Sequence, residues 1–124
     1  MTGEELYERA SRAAEHAYAP YSEYRVGAAV LTRDGHVFEG VNVESAAYPL
    51  GVCAEKTAIA KAVSEGYKPG DLEAIGITAS PCGGCRQWLW EFRFDAVTFR
   101  TRDGTVVTYT PAELLPEAWD LGAS

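Results

Sequence analysis

The sequence predicts an α/β fold in which one β-sheet is covered by helices. Apolar runs typical of strands alternate with amphipathic helical segments, in the order α-β-β-α-β-α-β-β-α along the chain. Asp-Gly turn signals at positions 34–35 and 103–104 join two pairs of these strands as hairpins. The length of 124 residues favours one domain, so residues 1–124 are predicted to form a single unit.

The first half of the chain is predicted to contain one helix and one hairpin. Thr2 and Glu5 have the spacing of a capping box, and alanine and leucine then recur at helical spacing. This helix should end before Pro20, because proline cannot continue a helix. Strands are predicted over residues 25–31 and 36–41, on either side of the first Asp-Gly turn.

The second half is predicted to contain three helices and three strands. A helix begins at Cys53 and ends before Gly66, and Pro81 is predicted to open a second helix that reaches about residue 92. Strands are predicted over residues 72–79, 95–101 and 105–109, and residues 110–113 carry a second capping signal before a short helix. The apolar face of the first of these helices is expected to comprise Ala54, Ala58, Ile59, Ala62 and Val63.

The charge balance argues against a nucleic-acid partner. The chain has 18 acidic and 11 basic residues, a net charge of −7, whereas a protein that binds a phosphate backbone usually presents a basic stripe. Arg93, Arg100 and Arg102 are interspersed with Asp95 and Asp103, and we interpret this stretch as a solvated face. Any substrate is therefore expected to be a free small molecule.

Neither a membrane span nor an export signal is expected. No stretch approaches the ~18–20 consecutive apolar residues that a span requires. The first five residues, MTGEE, lack the basic and apolar blocks of a signal peptide. The expected location is the cytoplasm, with no membrane partner.

Three cysteines, Cys53, Cys82 and Cys85, carry the chemistry of the sequence. An odd number of cysteines makes a poor disulfide framework, which leaves two interpretations: three thiolate ligands on one metal, or a buried thiol beside a redox Cys-x-x-Cys pair. Three protein ligands would leave one position of a tetrahedral zinc ion open for water, as in catalytic zinc sites. His16 and His36 lie away from these motifs and are predicted to be surface residues.

Charged residues follow each cysteine motif. Glu55 comes two positions after Cys53 and could move protons between a water molecule and a substrate, although acidic residues are also common in a first helical turn. Zinc would lower the pKa of its water toward ~7. Lys56 and Arg86 could compensate the negative charge of the thiolates, as could the two helix N-termini.

Two segments, VCAEKTAI at 52–59 and SPCGGCRQ at 80–87, closely resemble the small, tetrameric cytidine deaminases. The resemblance continues through residues 18–22, 26–29, 42–44 and 113–116 and through Trp119, so it covers nearly the whole chain in the right order. It implies a three-layer α/β/α fold with a mixed five-stranded sheet. It also implies a homotetramer whose active sites lie at subunit interfaces.

The same resemblance implies an activity: zinc-dependent hydrolysis of cytidine and 2′-deoxycytidine to uridine and 2′-deoxyuridine, with release of ammonia, in pyrimidine salvage. It assigns one zinc ion per chain to the three cysteines and proton transfer to Glu55. It also assigns the ribose hydroxyls to Asn42 and Glu44, contacts with the base to Tyr24 and Ala54, and an aromatic contact from a neighbouring subunit to Trp119.

Several positions differ from the usual pattern of these deaminases. Lys56 stands where arginine is frequent, and Tyr24 stands where phenylalanine is more usual. Residues 46–49, AAYP, also differ, and Trp88 and Trp90 replace smaller side chains and are expected to pack in the core or between subunits. These differences leave the substrate open, so another small aminopyrimidine nucleoside such as blasticidin S remains an alternative. A zinc-stapled structural module and a redox protein are further alternatives.

Overall fold

A computed structural model of the chain describes residues 1–122, and the predicted order of elements is confirmed. The predicted capping boxes are present at Thr2 with Glu5 and at Thr110 with Glu113. Short 3₁₀ segments at Ala14–His16 and Tyr48–Leu50 were not predicted. The elements are α1 (Gly3–Ala13), β1 (Gly27–Thr32), β2 (Val37–Val41), α2 (Ala54–Ser64), β3 (Leu72–Ile77), α3 (Gly83–Glu91), β4 (Ala96–Arg100), β5 (Val106–Tyr109) and α4 (Pro111–Leu114).

The five strands form one mixed sheet in the order β2-β1-β3-β4-β5. Only β3 and β4 run parallel, because α3 provides the crossover between them. The β1–β2 and β4–β5 pairs are antiparallel hairpins that turn at Gly35 and Gly104. Both glycines have positive φ angles, 95° and 91°, which explains the two Asp-Gly signals.

Helices cover both faces of the sheet. Side chains of β1 alternate between the two faces: Ala29 and Leu31 pack with α1, whereas Ala28 and Val30 belong to the larger cluster with α2 and α3. All six residues of β1 are buried, which is why this strand reads as a continuous apolar run rather than an alternating one. The arrangement confirms the three-layer α/β/α fold.

Two glycines set the distance between the helices and the sheet. A Cβ atom on Gly40 would lie 2.4 Å from the backbone nitrogen of Ala58 and 2.6 Å from the carbonyl oxygen of Ala54. A Cβ atom on Gly76 would lie 2.5 Å from the backbone of Leu6. Any larger residue at these positions would push α2 or α1 away from the sheet.

Two sequence predictions are wrong in detail. Pro81 does not open α3 but precedes its N-cap, Cys82, because the helix begins at Gly83. Val63 is 44% exposed and does not belong to the buried face of α2, since only the other four predicted positions pack against the sheet.

His16 and His36 are exposed, as predicted. No helix within residues 1–122 combines the length and apolar character needed to cross a membrane.

Candidate active site

The N-termini of two helices bring the three cysteines together. Cys53 is the N-cap of α2, Cys82 is the N-cap of α3, and Cys85 lies in the first turn of α3. Neither N-cap cysteine uses its side chain to cap its helix. The three Sγ atoms lie within 4.8 Å of one another, which confirms that the sequence motifs converge.

This group of sulfurs fits a zinc ion. Zinc–thiolate bonds of ~2.3 Å place the sulfurs of a tetrahedral site about 3.8 Å apart, so a small contraction of the observed group would suffice. Among residues 1–122, no histidine or carboxylate joins the group as a fourth protein ligand. The donor set is therefore that of a catalytic site with an open position, and a closed structural module is disfavoured. All three cysteines are free thiols.

The pKa values of two of the cysteine thiols are shifted in opposite directions. The pKa of the Cys53 thiol is lowered to about 6, first because Cys85 donates a hydrogen bond to its sulfur, with Cys82 and the positive charge of Lys56 adding to the effect. The same hydrogen bond and burial raise the pKa of Cys85 above its ordinary range. The hydrogen bond between the two residues therefore favours the thiolate at Cys53 and the thiol at Cys85, and a metal ion bound to both sulfurs would displace the thiol proton.

Glu55 lies beside the cysteines in the first turn of α2 and is only 4% exposed. Burial raises the pKa of its carboxyl group to about 7, because the charged form loses its hydration. Near neutral pH this carboxyl group can therefore both accept and donate a proton.

A cavity of about 340 Å³ opens in front of Glu55, Cys53 and Cys82. Its size suits a small polar organic molecule. Cys53, Ala54 and Glu55 lie on its wall, and Tyr24 and Tyr48 contribute aromatic rings. The other lining residues are Val26, Asn42, Val43, Glu44, Ser45, Gly51, Val52, Ala79, Ser80 and Cys82. Five predicted site residues outside the cysteines therefore line one cavity: Tyr24, Asn42, Glu44, Ala54 and Glu55.

Asn42 holds the chain segment that carries Tyr24. Its Oδ1 accepts a hydrogen bond of 2.9 Å from the backbone N–H of Val26. Its Nδ2 donates one of 2.9 Å to the backbone carbonyl of Tyr24. One N–H of the amide and part of the acceptor capacity of Oδ1 remain for a ligand.

Glu44 holds the same segment at its other end. Its Oε1 accepts hydrogen bonds from the backbone N–H groups of Tyr21, at 3.0 Å, and Ser22, at 3.1 Å, while Oε2 accepts one from the Ser22 hydroxyl. These bonds, first those from Ser22, lower the pKa of the carboxyl group. Sequence reasoning missed this holding role, and it missed Ser22, because nothing local in the sequence connects residues 22 and 44.

The two predicted cations differ in their surroundings. Arg86 donates hydrogen bonds to the carbonyl oxygens of Pro81, at 2.9 Å, and Leu114, at 3.0 Å, and a longer one of 3.3 Å to the Ser80 hydroxyl. It therefore ties the loop before α3 to α4. Lys56 instead places its ammonium group 5.7 Å from the centre of the Trp88 ring.

The two tryptophans of interest lie outside this cavity. Trp119 is 69% exposed, and its backbone carbonyl accepts a 2.6 Å hydrogen bond from the side chain of Gln87. Trp88 packs against the core cluster and stacks on Phe92, as the packing interpretation predicted.

Comparison with known proteins identifies close relatives over almost the full length. Residues 1–101 match the family described as "Cytidine and deoxycytidylate deaminase zinc-binding region". The chain is 40% identical to a cytidine deaminase of Sporosarcina psychrophila, with 96% of this chain and 92% of that protein covered. It is 42% identical to one from Halalkalibacterium halodurans, with 96% and 95% covered.

Solved structures agree with the sequence relatives. The fold matches the crystal structure of cytidine deaminase from Burkholderia pseudomallei with a TM-score of 0.89 and 43% identity, covering 96% of this chain and all of that one. It matches that from Mycobacterium tuberculosis with a TM-score of 0.83 and 34% identity, covering 98% and 99%. The matched region is zinc-binding, and the cysteine group provides for one zinc ion per chain.

Proposed function

The chain belongs to the cytidine and deoxycytidylate deaminase family, and from that premise we propose that it hydrolyses cytidine and 2′-deoxycytidine to uridine and 2′-deoxyuridine. The reaction consumes one water molecule and releases ammonia, as expected of an enzyme of pyrimidine salvage. One observation supports the proposal: Cys53 and Cys82 of the cysteine group and the buried carboxyl group of Glu55 line the same small cavity, with Cys85 buried behind them.

In the proposed reaction a zinc ion would activate water and Glu55 would transfer protons. A zinc ion held by Cys53, Cys82 and Cys85 supplies Lewis-acid activation of water. The Glu55 carboxylate takes a proton from the attacking water, whose oxygen adds to C4 of the pyrimidine. Glu55 then delivers that proton to N3, and a further proton passes through the same carboxyl group to the amino group that leaves C4. Burial suits it to this exchange because both protonation states are accessible near neutral pH.

Asn42 and Glu44 are proposed to bind the sugar while they hold the segment of residues 21–26. Each keeps unused hydrogen-bonding capacity after its backbone contacts, and both line the cavity. Their fixed orientation would reduce the entropy lost when a sugar hydroxyl binds. Tyr24 is proposed to lie against the base, and Ala54 to contact it from the buried wall.

The assembly is proposed to be a homotetramer with active sites at subunit interfaces. Several large apolar side chains that line the cavity are exposed in the single chain, among them Tyr48, 74% exposed, and Tyr24, 56% exposed. Such a patch favours burial against another subunit. Trp119, exposed and outside the cavity of its own chain, would then reach a neighbour's site. Free cysteines favour the reducing cytoplasm as the compartment.

The direct test follows the ultraviolet absorbance change when cytidine or 2′-deoxycytidine is added to purified protein, with and without a chelator. We expect turnover of both nucleosides, about one zinc per chain, and loss of turnover on chelation. Glu55→Gln should keep zinc and fold but lose activity by orders of magnitude. Turnover of blasticidin S or another aminopyrimidine without either cytidine nucleoside would overturn the substrate assignment, and full activity in Glu55→Gln would remove Glu55 from the reaction.

A further inference from the structure

Lys56 occupies a position where a cation is normally unfavourable. It is the third residue of α2, and the N-terminal end of a helix carries partial positive charge. Negative potential from nearby groups would offset this unfavourable interaction. The side chain is only partly exposed, so its charge is not simply released to solvent.

Two groups meet this ammonium. The first is the indole of Trp88, whose ring centre lies 5.7 Å from Nζ, within the range of a cation–π interaction. The second is the turn between Cys82 and Cys85, since a Cβ atom on Gly84 would lie 3.8 Å from Nζ. The ammonium thus lies near both the aromatic ring and the turn that presents two cysteine sulfurs.

Trp88 is itself fixed in place. Its ring stacks on Phe92 with centroids 5.9 Å apart and 28° between the planes. It also packs against the core cluster that includes Leu89 and α2. The indole is therefore a rigid surface for Lys56.

Lys56 is also the cation best placed to serve the thiolates. Arg86 donates to two carbonyl oxygens and to a hydroxyl, which commits its guanidinium group to the loop before α3. The Lys56 ammonium, in contrast, lies beside the turn that carries Cys82 and Cys85, 3.8 Å from the position of a Cβ atom on Gly84. Three thiolates around a zinc dication leave a charge of −1, which one ammonium can balance.

We propose that Trp88 is a positioning residue of the metal centre, whose ring holds the Lys56 ammonium against the turn of residues 82–85 and so strengthens zinc binding. Trp88 does not line the cavity and contacts the Lys56 ammonium, so it acts through Lys56. The metal centre is the same whichever nucleoside is the substrate, so zinc binding reports on Trp88 independently of turnover.

The test is a double-mutant cycle on the zinc dissociation constant, measured by competition with a chromogenic chelator. Trp88→Leu should raise that constant about two- to five-fold, the range of a partly exposed cation–π pair. Trp88→Phe, which keeps an aromatic face, should recover part of the loss. In a Lys56→Met background, which has no ammonium, Trp88→Leu should change zinc binding no further.

Trp90→Leu is the matched control. Trp90 lies on the same helix, two residues on, and therefore points to a different side. It should leave the zinc dissociation constant unchanged. An equal weakening by Trp88→Leu with and without Lys56, or no weakening at all, would refute the proposal and leave Trp88 as a packing residue.

If Trp88→Leu does not fold, Trp88→Phe carries the test in both backgrounds. Phenylalanine has the weaker face for a cation, so a rise in the zinc dissociation constant that appears only when Lys56 is present supports the proposal. A rise of the same size in both backgrounds overturns it. Gel filtration of each variant separates loss of metal from loss of assembly.

Discussion

Replacing Glu55 by glutamine should stabilise the zinc-free protein, and only above a certain pH. An acid buried in the folded chain resists ionisation, and burial raises the pKa of Glu55 from its ordinary value of 4.5 to about 7. Below pH 4.5 the carboxyl group is protonated in both folded and unfolded chains, so it makes no difference to stability. As pH rises from 4.5 to 7, only the unfolded chain ionises, and the free energy of unfolding falls.

The size of this effect follows from the pKa difference. The gap between 4.5 and about 7 corresponds to about 3 kcal/mol, at ~1.36 kcal/mol for each pH unit. Glutamine has nearly the same shape and cannot ionise. Glu55→Gln should therefore match the parent at pH 4 and exceed its free energy of unfolding by about 3 kcal/mol at pH 8.

Urea unfolding of chelator-treated protein, at fixed protein concentration across a pH series, measures this difference. Glu8→Gln on α1 is the matched control, because it removes a carboxylate that is exposed to solvent. Adding zinc should shrink the difference, since a nearby cation favours the ionised carboxylate. A difference that stays the same from pH 4 to pH 8 would show that burial does not govern the Glu55 carboxyl group, and the account of its proton exchange would fail.

Three further predictions concern Asn42, the zinc ion and Asp34. Asn42→Ala removes the hydrogen bonds with the backbone of Tyr24 and Val26. It should lower the free energy of unfolding, measured in urea, by about 1–3 kcal/mol. It should also raise KM more than it lowers kcat. Removing zinc with a chelator should lower the Tm and abolish turnover, and both should return when zinc is restored. The pKa of Asp34 is lowered to about 2, first by its hydrogen bond from Thr32. Asp34→Asn should therefore lower the free energy of unfolding above about pH 4, and this loss should vanish as pH falls through 2. A difference in the free energy of unfolding that stays constant down to about pH 2 would contradict this.

The sequence predicted the element order from local signals, and it predicted the metal centre from one local Cys-x-x-Cys motif together with the family resemblance, which added Cys53. Strands, helices and Asp-Gly turns are encoded by neighbours along the chain, and Cys82 and Cys85 are held in register by one helix start. The start of α3 was placed two residues too early, because proline is common in a first helical turn, whereas Pro81 precedes the N-cap, Cys82. Val63 was misplaced because the helical period alone does not say how wide the covered face of α2 is.

The finer structure of the site depends on contacts between distant segments. The bond from the Ser22 hydroxyl to Glu44 spans 22 residues, and the contact between Lys56 and Trp88 spans 32. The two residues of each contact meet only in the folded chain, so no local sequence pattern predicts either contact. The charge of Arg86 was recognised in the sequence, but its commitment to the Leu114 carbonyl depends on where α4 docks.

Because α2 packs closely on Gly40, a substitution there would also disturb the metal centre. A single methyl group at position 40 would collide with the backbone at Ala54 and Ala58, and relief of that collision would shift the N-terminal end of α2, whose N-cap is Cys53. Cys82 and Cys85 belong to another helix and would not follow. Such a variant would keep all three cysteine ligands and Glu55, but its sulfur atoms would no longer have the spacing that one zinc ion requires. A comparison of sequences limited to the site residues would therefore not detect the defect.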